Sequence, residues 1–545
     1  MGLKIYAKLG KKDKSGHRAA ANTEANAEYQ VPGGLSPARF WLLSVGLFTI
    51  GTDLNDLGSV NWIALSYTLA YLGCAVAFAR VSDVIGRRNA FLAAYVLFFS
   101  FSLASGFAQS LSQLIAFRTI QGVGGSGLYS LTMIILPEVC PPKFIKFIGA
   151  TIGMVIAWSG VLGPVLGGIL TEYSTWRWAF WINGPIGVVS LAIFFVSWPK
   201  PEDMPYVRIR SWKSFDYFGT FLIIAAAVLV VFAFQNAGES FEEIWNTAIF
   251  IAPLVGGAIC WACVLLWSYI LDQGIIGKGL APAFPFRLFR NRHYTAAALS
   301  TLLIGFPFLL LIFSFPTRAQ VVSGKSALVS GLMLLPMLGT SALASAISGV
   351  VNSKKNFLFE TMATGACLMV LGCGLLTTVH GPADDAKAMG FLTFTGLGFG
   401  LATASATMLV SFEAPLADAA PAHGILAQMR ILGGSIGIST SSVLLRNALK
   451  DVGGRISTEG LKALDEGASS LSETQAILVR QAYSKAFRDG MIVCVAIASV
   501  AILVAPIGFR RNRVTMLEQR AKLVREEARN SGRENGSESG ADKPL

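Results

Sequence analysis

Charge is scarce in this chain. Of 545 residues, 14% are charged and 53% are hydrophobic, whereas roughly a quarter of the residues in a soluble domain are charged. That excludes a water-soluble globular protein and fits a polytopic membrane protein. Histidine is scarcer still, with four residues in the whole chain. His293, His380 and His423 stand isolated, without the partners that a membrane enzyme or a metal centre needs. The chain is read as a non-enzyme with no metal site.

Phosphate-binding loops are also missing. "GVGGSG" at 122–127 has dinucleotide-loop spacing, but it follows no strand and lies inside an apolar run. "SGKS" at 323–326 lacks the glycine five residues before Gly324, where Ala319 stands. With no ATP site and no cofactor expected, any pumping must draw on an ion gradient. Paired cysteine ligands are absent as well: "CWAC" at 260–263 has half-site spacing but no second pair, and it reads as small-residue helix packing. Nothing alternates with period two over many short segments, which excludes a β-barrel.

What is present is a series of apolar runs long enough to span a bilayer. They lie at 61–79, 91–108, 114–136, 147–170, 178–197, 216–236, 248–271, 294–315, 327–351, 357–379, 388–411, 423–446 and 488–508. A further run at 40–51 stops at Asp53 and Asp56 after only a dozen residues, where a full crossing takes about 20. Helices are expected throughout, because each span must satisfy its own backbone in lipid.

Lysine and arginine fix the sidedness. Arg80, Arg87, Arg88, Lys143, Lys146, Lys200, Arg208, Arg210, Lys213, Lys278, Arg287, Arg290, Arg292, Lys354 and Lys355 lie in loops on one side; Arg177, Arg318, Lys325 and Lys387 lie on the other. The first side is cytoplasmic by the positive-inside bias. The basic tail 1–39 joins that side only if the stub at 40–51 counts as a span, which makes fourteen. That tail has no apolar core, so no cleavable signal is expected. The net charge of +12 sits in scattered inner loops and tails, so no nucleic acid partner is expected.

Three motifs carry the chemistry. "ARVSDVIGRR", from Ala79 to Arg88, reads as a short inner loop with a helix-terminus carboxylate, a tight-turn glycine and paired cations. Alone, it reads equally as an ordinary positive-inside loop. "LIAFRTIQGVGGSG" puts Arg118 inside an apolar helix, where charge is costly and usually functional. "GVLGPVLGG" combines Pro164, which bends a span, with Gly160, Gly163, Gly167 and Gly168, which admit a close neighbour.

In this order and spacing the motifs resemble those of the major facilitator superfamily. Asp83, Gly86, Arg87 and Arg88 fall in the places of its signature G-x-x-x-D-x-x-G-R-R, with Ala79 where the first glycine usually stands. Arg118, Gln121, Gly122 and Gly124 match its second motif, and "GVLGPVLGG" is similar to its antiporter motif. "STWRWAFWINGPIG", "PAFPFRLFRNRHY" at 282–294, "SGLMLLP" at 330–336 and "LGGSIG" at 432–437 resemble segments of its fourteen-span drug:proton antiporters.

The resemblance implies an all-α fold of two six-helix bundles around a central cavity: an N-terminal bundle at 40–197 and a C-terminal bundle at 293–508. Between them, the linker 198–292 carries two extra spans, 216–236 and 248–271. The polar stretch 447–486 is expected to be external, and 509–545 to be a cytoplasmic tail. The function implied is alternating-access export of a small hydrophobic drug or secondary metabolite in exchange for protons, by a monomer in the plasma membrane or the vacuolar membrane. A nutrient or siderophore facilitator of the same fold is the rival reading. Asp83, Arg87 and Arg88 are assigned to an inner latch, Arg118 to proton coupling, and Trp62, Tyr67, Gln121 and Trp158 to the cavity wall.

The resemblance also accounts for the stub. In that family the first span continues through an acidic motif like L-D-x-T-I-V before reaching a stretch like "TIGTDLNDL". This chain passes there directly from "VGLF", so about twenty residues, one span's worth, are absent between Phe48 and Thr49. The missing part includes the acid expected beside Arg118. A mispredicted intron explains this most simply, and a transport-incompetent truncated variant is the alternative.

Overall fold

Apolar backbone in lipid must hydrogen-bond to itself, and the apolar runs do so as helices. The computed structural model describes residues 61–139, 175–198, 211–239, 247–275, 280–325, 327–354, 356–415, 418–453 and 473–509. The stub at 40–51, the run at 147–170 with its motif and Trp158, and most of both tails lie outside the described residues.

The N-terminal part contains α1 (Asn61–Ile85), α2 (Arg87–Gly106), α3 (Leu111–Val139), α4 (Trp178–Trp181) and α5 (Asn183–Ser197). Then come α6 (Tyr217–Glu239), α7 (Ala248–Asp272) and the short α8 (Phe286–Arg290). The C-terminal part contains α9 (Arg292–Val321), α10 (Ala327–Leu332), α11 (Leu335–Lys354), α12 (Leu358–Leu376), α13 (Asp385–Glu413), α14 (Ala419–Gly453) and α15 (Glu473–Val504). Among the described residues, 11 helices are long and apolar enough to cross a membrane. The long α14, richer in polar residues, covers the expected span at 423–446.

Glycines set the helix spacing. In the N-terminal bundle α3 packs against both α1 and α2. A Cβ on Gly122 would lie 2.4 Å from the carbonyl oxygen of Tyr67, and one on Gly124 2.5 Å from the amide nitrogen of Phe98, so α3 touches each neighbour through a different glycine. In the C-terminal bundle α9 packs on α14 and α15, and α13 on α11 and α12. There "LGGSIG" lies against α9: Gly433 meets the carbonyl of Leu302, and Gly437 that of Phe306.

The extra pair α6 and α7 forms a hairpin, with α6 packed on α1 of one bundle and α14 of the other. α7 leaves Ile249, Ile259 and Leu266 exposed, as a lipid-facing helix must.

One expectation changes. The stretch "ARVSDVIGRR" is not a loop: α1 runs on through Ile85, α2 begins at Arg87, and only Gly86, at φ +86°, intervenes. Helix persists beyond the apolar run because its polar side chains are buried in ion pairs. Within 447–486, α14 continues to Gly453 and α15 begins at Glu473. Ala448 and Leu449 pack there with Val479, Ala482, Tyr483 and Ala486, whose helical spacing gives one apolar stripe on a polar segment.

Candidate functional site

At the inner end of α1, Asp83 accepts from Arg87 Nη1 at 2.7 Å and from Arg80 Nη1 at 3.2 Å. Arg87 also donates to Ser82 Oγ at 2.5 Å. The i, i+3 and i+4 spacings make these bonds possible, one within the helix and one across the Gly86 break. Asp83, Arg87 and Arg80 are all buried. Arg88 stands apart: it is exposed, with its guanidinium 5.7 Å from the ring centroid of Phe195.

The link to the other bundle comes from Arg80, which the sequence marked only as an inner-loop cation. Its Nη2 lies 3.5 Å from Asp418 Oδ1, just ahead of α14, and donates to the carbonyl of Pro282. Asp418 also accepts from Arg287 Nε, in α8. Asp83, Arg80 and Asp418, all buried, and Arg287, which is exposed, thus form one chain of alternating charge joining the inner ends of both bundles.

The linker is fastened into the same place. Asp216, ahead of α6, accepts from the Gly219 amide at 2.8 Å, the Trp267 indole at 3.0 Å and the Ala283 amide at 3.0 Å. The family-like segment "PAFPFRLFRNRHY" is therefore an inner strap. Asp216 holds it at Ala283, Arg80 at Pro282 and Asp418 at Arg287, while Asn291 caps α9 by accepting from the His293 amide at 3.0 Å.

Deeper in the N-terminal bundle, Arg118 is 2% exposed. It donates to Gln121 Oε1 at 2.6 Å, and its guanidinium lies 4.2 Å from the ring centroid of Tyr67 and 5.6 Å from that of Phe180. Cation–π contact of this kind offsets part of the cost of a charge in a membrane helix. From Tyr67 a row of tyrosines continues: Tyr71 at 5.9 Å, then Tyr129 at 6.2 Å between ring centroids. Tyr129 accepts a 2.7 Å hydrogen bond from Arg430 Nη1 on α14, so the row ends on the opposite bundle.

Of the residues expected at the cavity wall, Tyr67 and Gln121 sit together around Arg118. Trp62 is directed at the extra pair instead, 36% exposed with its ring 5.9 Å from Phe232 of α6. Gly160, Gly163, Pro164, Gly167, Gly168 and Trp158 lie outside the described residues. Sequence reasoning missed Asp418, Asp216, Tyr129 and Arg430. Arg430 carried the same signal as Arg118, a charge inside an apolar helix; Asp418 sits at a span end, where an acid is unremarked. Among the described residues no group of His, Cys, Asp and Glu is placed to hold a metal.

Residues 33–438 match the family profile described as the Major Facilitator Superfamily. The MFS-type transporter FPY5 of Fusarium mangiferae is 32% identical over 492 residues, covering 86% of this chain and 81% of that protein. Multidrug resistance protein 3 of Bacillus subtilis is 29% identical, covering 66% of this chain and 67% of that one. The aspyridones efflux protein of Neocamarosporium betae is 28% identical, covering 75% and 72%. Among solved structures, the human organic anion transporter MFSD10 superposes with a TM-score of 0.53 at 13% identity, over 89% of this chain and 100% of that one. A bacterial homologue of the lysosomal transporter Spinster gives 0.52 at 14%, over 90% and 97%. At these identities the structures speak to the fold alone.

Proposed function

The chain belongs to the major facilitator superfamily, and on that premise we propose that it exports small apolar compounds in exchange for protons. The observation that carries the reading is the buried bridge from Arg80 to Asp418. It ties the inner ends of two bundles with contacts that must break for the cytoplasmic side to open, as alternating access requires. Removing one partner of such a buried pair costs about 3–5 kcal/mol, enough to shift a two-state equilibrium strongly. Relatives named for multidrug resistance and for efflux support the outward direction.

Energy comes from the proton gradient in this reading, and Arg118 takes part in coupling. A cation buried against Tyr67 lowers the pKa of any acid that approaches it, and so drives proton release there. The protein works as a monomer in the plasma membrane.

Flux of a labelled hydrophobic compound in cells expressing the chain tests the reading. Export should collapse on adding a protonophore, with the compound then accumulating inside. Protonophore-insensitive uptake would favour the facilitator reading. Fractionation of the same cells separates plasma membrane from vacuole.

A further inference from the structure

Arg430, partly buried, differs from Arg80, Arg87 and Arg318. Arg80 and Arg87 share Asp83, and Arg318 of α9 lies 3.3 Å from Asp385. Arg430 makes no ion pair with any carboxylate among the described residues. Its Nη1 donates to Tyr129 Oη at 2.7 Å, its Nη2 reaches Thr407 Oγ1 only at 3.5 Å, and its Nε has no hydrogen-bond partner there. A guanidinium presents a planar fork of donors suited to a carboxylate. Here both arms of the fork meet only neutral oxygens, one of them at 3.5 Å, and Nε is uncommitted.

Its position is equally telling. Arg430 lies about a third of the way along α14 and Tyr129 about two thirds of the way along α3, well inside both helices, and their bond crosses from one bundle to the other. Both are partly exposed although they sit well inside long helices. A charged side chain at that depth faces the bundle interior or a water-filled space, not lipid. Beside it stand the rings of Tyr129, partly exposed, and of Tyr71, buried behind it and tilted 44° to the first.

We propose that Arg430 is the anion anchor of the transport site, and that the substrate is an apolar, ring-bearing organic acid: a carboxylate or acidic enol that pairs with the guanidinium while its rings lie against Tyr129. This rests on the transporter reading and narrows its substrate class. The acid replaces the Tyr129 hydroxyl on Nη1, which frees the bond across the bundles, so substrate binding and bundle movement act on the same contact.

The test compares naphthoate with naphthamide, one ring system with and without charge, binding to the purified full-length protein in detergent. The acid is expected to bind roughly tenfold more tightly or better, the scale of a charge-assisted hydrogen bond. Arg430→Gln should erase that preference, bringing the affinities for acid and amide to within about twofold of each other, and Arg430→Lys should keep part of the preference. Equal binding of acid and amide by the native protein overturns the proposal without recourse to any variant. So does failure to bind the acid at all, or an undiminished preference in Arg430→Gln. Acid-selective binding without protonophore-sensitive export would keep the anchor and sink the exporter reading; export of neutral compounds with no preference for acids would do the reverse.

Discussion

Arg80 and Asp418 approach to 3.5 Å across the two bundles, 3% and 1% exposed at their side chains. Charges so buried persist only when paired. In the alternating-access reading proposed above, the pair belongs to one state of the transporter, since opening the inner side would separate its members.

Asp418→Asn is the first test of that state dependence. It leaves Arg80 and Arg287 facing a neutral amide, so the inner gate should loosen. Transport should fall severalfold or more at unchanged membrane abundance, and a cysteine placed at Ala420 should react faster with a thiol reagent added from the cytoplasmic side. Unchanged reactivity together with normal flux would remove the pair from the gate.

Asp83→Asn acts one step away. Asp83 orients Arg80 and Arg87, and among the described residues its ion pairs stay within its own bundle. The variant should therefore reduce transport while protein abundance stays the same; normal transport would take Asp83 out of the latch.

Two glycines should fail for different reasons. Gly86 adopts φ +86° with nothing within 4 Å of an added Cβ, so Gly86→Ala should cost about 1–3 kcal/mol from the backbone alone. Gly122 has an ordinary helical backbone, but a Cβ there would lie 2.4 Å from the Tyr67 carbonyl oxygen. Overpacking of that kind costs about 1–3 kcal/mol and displaces α1 from α3. Thermal unfolding in detergent should show both losses. Only Gly122→Ala should also disturb the Arg118 site, read as altered transport at a permissive temperature.

The transcript across codons 48 and 49 should contain about twenty additional codons, one span's worth, encoding an acidic apolar segment. If it instead matches the chain as given, twelve apolar residues cover only about 18 Å of a core roughly 30 Å thick. The product should then be misinserted or inactive.

The sequence made the helices legible wherever hydropathy governs, and each apolar run that falls on described residues is helical over most of its length. It was less informative where charges extend a helix beyond its apolar part. α1 runs past Ala79 to Ile85 because Arg80 and Asp83 are buried by pairing, which no hydropathy pattern records. Of the latch, Asp83 and Arg87 meet as their spacing predicts, since three to four residues is one helical turn. Arg88, adjacent in sequence, falls on another face and meets Phe195.

By itself, then, the sequence determined the solvent, the spans, the sidedness and the pairs within one turn of helix, because lipid compels backbone self-bonding and neighbours on a helix meet wherever the helix goes. Tertiary structure decided which distant charges face each other. Tyr129 and Arg430 are 301 residues apart, and Arg80 finds Asp418 only when α1 of one bundle docks on α14 of the other. Such pairings depend on how two rigid bundles pack, and no local pattern in the chain encodes that.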